Sequence, residues 1–71
     1  MVNINKLRGK MVELGYNMEK LANEMQIDKC KLYRRFTKPE TFTIKEVNSI
    51  ISILNLSSEE IMAIFFKNNV A

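Results

Sequence analysis

The chain contains no histidine and a single cysteine, Cys30. An internal disulfide is therefore excluded, no zinc set can be assembled, and the lone thiol lacks the imidazole that would activate it as a nucleophile. Proline occurs once and glycine twice, so there is neither a glycine-rich phosphate loop nor a flexible linker. The longest uninterrupted apolar run is Ile61 to Phe66, six residues, far short of the ~20 that a membrane-spanning helix needs. The opening MVNINKLRGK carries charges where a signal peptide needs an apolar stretch, so the expected location is intracellular, in the cytoplasm. Strand-type alternation, internal repeats and acid-base constellations are missing as well. The chain is expected to be no enzyme and to need no cofactor and no metal.

Seventy-one residues make one domain, because a chain this short buries only roughly 60% of its unfolded surface and cannot divide that between two cores. An apolar content of 46% with 27% charged residues is that of an ordinary globular protein rather than a disordered one. The net charge is only +3, but it is unevenly placed. Residues 1–28 hold four cations and four acids, and residues 39–71 hold two cations and four acids. The stretch KCKLYRRFTK, residues 29–38, holds five cations and no acid. Such a stretch in an otherwise balanced domain points to a polyanionic partner; the plain alternative is a solvated Lys/Arg face that binds nothing.

Apolar spacing and capping residues divide the chain into about five short helices. Ile4, Leu7, Met11 and Leu14 recur at helical intervals, and Gly15 offers a left-handed stop. Asn17 is a fitting N-cap for a second helix with Leu21, Ala22 and Met25 on one side, and a break follows near Gln26 and Ile27. Asp28 can cap a third helix, in which Leu32 and Phe36 lie one turn apart. Pro39 biases Lys38 away from helix, so the third helix ends by about Thr37 and TKPETF forms a loop. Thr43 with Glu46, and Ser57 with Glu60, each read as a capping box. They open a fourth helix burying Val47, Ile50, Ile51 and Leu54, and a fifth offering Ile61, Ile64 and Phe65. The expected fold is all-α, a compact bundle.

At 100° per residue, Leu32 and Phe36 fall together on the third helix while Cys30, Lys31 and Arg34 fall on the other side. The apolar pair anchors the helix and the cationic face is offered. A cationic helix held by two core residues, preceded by a short helix and a tight turn, is how a helix-turn-helix enters the DNA major groove. Ala22 supplies the small residue needed where two steeply crossed helices approach. An arginine such as Arg34 pairs bidentately with guanine, Cys30 can touch a thymine methyl, and Lys29 and Lys31 lie near phosphate even where they read no base. Tyr33 and Arg35 flank the face and can meet phosphate too.

The run MEKLANEMQIDKCKLYRRF, with Leu21, Ala22, Met25, Ile27 and Leu32, resembles the Cro/CI-type helix-turn-helix of phage repressors. The opening LRGKMVELGY and the later ILNLSSEEI resemble small phage regulators of the same group, so the likeness spans nearly the whole chain. It implies a lambda-repressor-like DNA-binding domain, with the helix-turn-helix at about 17–36, acting on a double-stranded DNA operator in transcription regulation. Carried over residue by residue, it implies base contacts from Lys29, Cys30, Lys31 and Arg34. Phosphate contacts fall to Asn17, Thr37, Lys38, Thr41 and Thr43. The chain departs from the pattern at three places. Gln26 stands where glycine is usual, at a cost of about 1 kcal/mol if the backbone there is left-handed. Met18 occupies a position often polar, leaving backbone N–H groups to hold an anion, and Arg35 stands where an apolar residue is common, so that Phe36 takes over the packing.

On the fifth helix Met62 and Phe66 fall opposite Ile61 and Ile64. They are either a homodimer interface or are covered by the first helix or the C-terminal tail. A competing reading keeps the fold but makes the chain a protein-interaction module, such as an antirepressor that binds another regulator. RNA binding is weaker, because the interleaved aromatics of a stacking platform are missing.

Overall fold

A computed structural model describes residues 2–66, and all regular structure among them is helical. Asn3 accepts the Lys6 N–H on its side-chain oxygen at 3.1 Å and so starts α1 (Ile4–Glu13). Asn17 does the same for the Lys20 N–H at 2.8 Å and starts α2 (Met18–Met25). Next come α3 (Lys29–Thr37), a 3₁₀ turn at Pro39–Thr41, and α4 (Ile44–Leu54). The last element is α5 (Ser58–Ile61), prolonged by a π-helical turn at Met62–Phe66. Both capping boxes form in full: Thr43 and Ser57 accept the N–H of Glu46 and Glu60, whose carboxylates accept the N–H of Thr43 and Ser57 in return.

Three helices close by one device. A left-handed residue follows α1, α2 and α4 at Gly15 (φ 79°), Gln26 (φ 62°) and Asn55 (φ 52°). The next residue then turns its N–H back onto the helix, Tyr16 to the Met11 carbonyl, Ile27 to Ala22 and Leu56 to Ile51, at 2.7, 3.0 and 3.1 Å. This is the Schellman closure, which satisfies carbonyls the helix end leaves open and folds an apolar residue back over the last turns. Tyr16, Ile27 and Leu56 all join the core in this way.

The four most deeply buried large side chains are Leu7, Leu21, Leu32 and Ile50. Each comes from a different one of the first four helices, so they meet where those helices converge. Ala22 is buried beside them, on the helix that packs against both α3 and α4. Phe36 meets Phe42 edge to face at 5.9 Å, and the Arg8 guanidinium lies 5.2 Å over the Phe36 ring. The π-helical turn buries Ile64 and Phe65 against α1, and the Ile64 carbonyl accepts the Asn3 N–H at 2.6 Å.

Three local expectations are corrected. Leu14 was expected on the buried stripe of the first helix, but it is 42% exposed because α1 ends before it. Asp28 takes the extended backbone of an N-cap, yet its side chain makes no capping hydrogen bond. The fifth helix keeps α geometry only to Ile61, and the wider π turn follows. No helix among the described residues is long and apolar enough to cross a membrane.

Candidate nucleic-acid interface

The left-handed Gln26 turns the chain sharply between α2 and α3, and α3 then packs on α2 and on the 3₁₀ turn. Leu32 and Phe36 pin it to the core. Lys29, Cys30, Lys31 and Arg34, the four residues assigned to base edges, are all exposed on it, and the Cys30 thiol is free. Among the described residues none of Lys29, Lys31, Arg34 or Lys38 is ion-paired. Among the described residues the one acid at a helix cap is Asp28, at the start of α3, and no acidic residue lies within that helix. Tyr33, Arg34, Arg35, Thr37, Lys38 and Thr41 line a shallow cleft of about 310 Å³ where α3 runs out into the loop.

The residues assigned to phosphate divide by what their polar atoms are already doing. Asn17 spends its side-chain oxygen on the α2 cap, which leaves its NH₂ group to donate outward. Thr43 accepts the Glu46 N–H and keeps its own hydroxyl hydrogen. Lys38 is exposed at the end of α3, and Tyr33 is 48% exposed. Thr37 and Thr41 differ: their hydroxyls donate to the carbonyls of Tyr33 and Lys38 at 3.0 and 2.7 Å. A phosphate only accepts, so neither hydroxyl can meet it without giving up that bond.

Arg35 is the larger departure. Expected to flank the face as a phosphate contact, it is half-buried and donates from Nε to Glu46 Oε1 at 2.8 Å. That same carboxylate oxygen accepts the Thr43 N–H at 3.0 Å. Burial pushes the Glu46 carboxyl up, but the Arg35 hydrogen bond, the Thr43 N–H and the charges of Arg35 and Lys31 together outweigh it and hold the group below its ordinary range. Glu46 appeared in the sequence only as half of a capping box, so its tie to Arg35 was missed. The signal was there in the spacing: Arg35 lies three residues after Leu32, at the border of the buried stripe, where a charge calls for a partner. Met18 is buried, which leaves the start of α2 with backbone N–H groups and Asn17 as its polar offer.

Met62 and Phe66 are 57% and 56% exposed. Both sit on the π turn that prolongs α5, an element distinct from the basic helix. Neither a protein-family model, nor a curated protein, nor a solved structure matches this chain.

Proposed function

We propose that the protein is a sequence-specific double-stranded DNA-binding regulator of transcription, a small repressor of the Cro/CI kind, that sets α3 into the major groove after α2 and a tight turn as a helix-turn-helix. One observation carries this reading: an exposed helix face of Lys29, Lys31 and Arg34 that makes no ion pairs among the described residues, on a helix fixed from behind by Leu32 and Phe36. Unpaired cations cost little in water and gain much beside a polyanion, where each phosphate neutralised releases condensed counterions. In this reading Arg34 reads a base, Lys29 and Lys31 meet base edges or nearby phosphate, and Cys30 meets a thymine methyl. Asn17, Tyr33, Lys38 and Thr43 hold phosphates. Arg35, Thr37 and Thr41 serve the fold.

The test separates reading from holding. A preferred duplex is first selected from a random pool, and affinities for it and for a scrambled duplex are measured across a salt series. Arg34→Ala is expected to cost ~1–3 kcal/mol on the preferred duplex and much less on the scrambled one. Lys38→Ala is expected to weaken both alike and to lower the salt slope by about 0.9, the share of one phosphate. Equal losses on both duplexes for Arg34→Ala would make it a phosphate clamp and move the reading face elsewhere.

The exposed Met62 and Phe66 support a second reading, an interaction module that binds another regulator. Amide shifts on adding duplex DNA decide between the two. Perturbations at residues 29–38 support DNA binding, and their absence, with shifts at residues 58–66 on adding a protein partner, supports the module.

A further inference from the structure

Helices α3 and α4 both lean on α2, which leaves the third side of that triangle to be closed by side chains. Arg35 closes it from α3 and Glu46 from α4, through a hydrogen-bonded ion pair whose side chains are 20% and 10% exposed. Glu46 is not free to follow Arg35 about, because its Oε1 also accepts the Thr43 N–H and its own N–H is held by Thr43 Oγ1. The carboxylate is thus fixed to the first turn of α4, and Arg35 is fixed to the carboxylate. Arg35 stands directly beside Arg34 in the chain and one turn after Lys31, two of the cations on the exposed face. Rotating α3 about its axis to move either of them would pull the guanidinium off Glu46.

We propose that Arg35 and Glu46 are positioning residues for the DNA-reading face: the pair sets the rotation of α3 against α4 and so the direction in which Lys31 and Arg34 are presented. The inference rests on the DNA-binding reading above and deepens it. Neither residue touches DNA. Leu32 and Phe36 fix α3 to the core by packing, and a charged hydrogen bond with one fixed partner adds a directional constraint on its rotation. A base contact depends on that direction, whereas a phosphate contact through a long flexible lysine depends on it much less.

Glu46→Ala in the full chain gives the sharpest test, because simple electrostatics and positioning predict opposite signs. Alanine removes the acceptor of Arg35, while Thr43 Oγ1 can still accept the N–H of residue 46 and cap the helix, and circular dichroism checks that the fold is retained. Removing a negative charge near a polyanion strengthens binding to any duplex, and it would strengthen it further if the released Arg35 became a phosphate contact. If the pair positions α3, the preferred duplex is bound about tenfold more weakly relative to a scrambled one, the scale of one misplaced base contact. Arg35→Gln is expected to cost the same discrimination, and the double variant no more than either single one, since one shared interaction is lost in all three. Arg35→Lys, which keeps the charge, should restore part of it. Equal strengthening on both duplexes, or additive losses in the double variant, overturns the proposal. A wild-type chain that binds no duplex overturns the DNA reading and this inference with it. Discrimination unchanged in Glu46→Ala while the wild type binds overturns the inference alone.

Discussion

Gln26 holds a left-handed backbone, with φ at 62°, that costs an L residue with a Cβ about 1–2 kcal/mol relative to its usual conformations. Its side chain is exposed, and the Schellman closure it enables uses only backbone groups, which glycine would supply equally well. Gln26→Gly is therefore expected to stabilise the protein by about 0.5–1 kcal/mol, the relieved strain less the entropy glycine loses on folding. A rise in the urea midpoint at unchanged m-value would register it. Asn55 occupies the same conformation, but asparagine tolerates it, so Asn55→Gly should move the midpoint much less. A fall in midpoint for Gln26→Gly would mean that the side chain does something that its exposure hides. At this scale the sequence was informative where a residue type has one main use, as at Gly15, Asn17, Thr43 and Ser57. It was silent where a residue can go two ways. Arg35 is chemically fit for phosphate or for a carboxylate, and only the approach of α4 decided between them.

Among the helices, boundaries followed the caps, and α3 ends at Thr37 because Pro39 shuts off its continuation. The 3₁₀ turn at Pro39–Thr41 and the π turn at Met62–Phe66 were illegible, since both are set by how the chain must pack rather than by a local residue preference. The exposed cationic face of α3 opposite Leu32 and Phe36 was legible as charge against apolar spacing; the polar link between α3 and α4 was not, because it joins residues eleven apart on separate helices. A further prediction belongs to α5. A domain this small offers few base contacts, so specific binding should require two copies on half-sites ~34 Å apart. Met62 and Phe66, exposed on one element, are the residues expected at the seam. Met62→Ser combined with Phe66→Ser should remove cooperativity from the duplex binding curve and leave the helical circular dichroism intact. Unchanged cooperativity would assign the seam to another surface.

For the molecule as a whole, two acidic groups tie distant parts of the chain together, Glu46 to α3 and Glu60 to Lys10 on α1. The Lys10 hydrogen bond and the Ser57 N–H hold the Glu60 carboxyl below its ordinary range, as the Arg35 pair does for Glu46 against the effect of burial. A carboxyl whose folded value lies below its unfolded one binds protons more readily in the unfolded chain. Its contribution to stability is complete above the ordinary carboxylate range, about 4–4.5, and disappears as pH falls through the lowered folded value. The melting temperature is expected to decline steadily below about pH 4.5, and less steeply in Glu46→Gln and Glu60→Gln. A decline equally steep in both variants would place the acid sensitivity elsewhere. The convergence of Leu7, Leu21, Leu32 and Ile50 has its own consequence for what can be moved between proteins. Helix α3 has nine residues, and isolated helices shorter than ~12–15 residues are marginal in water. Cut out as a peptide it would keep every charge and lose its shape, so the unit that can be transplanted, duplicated or fused is the whole bundle and never the basic segment alone.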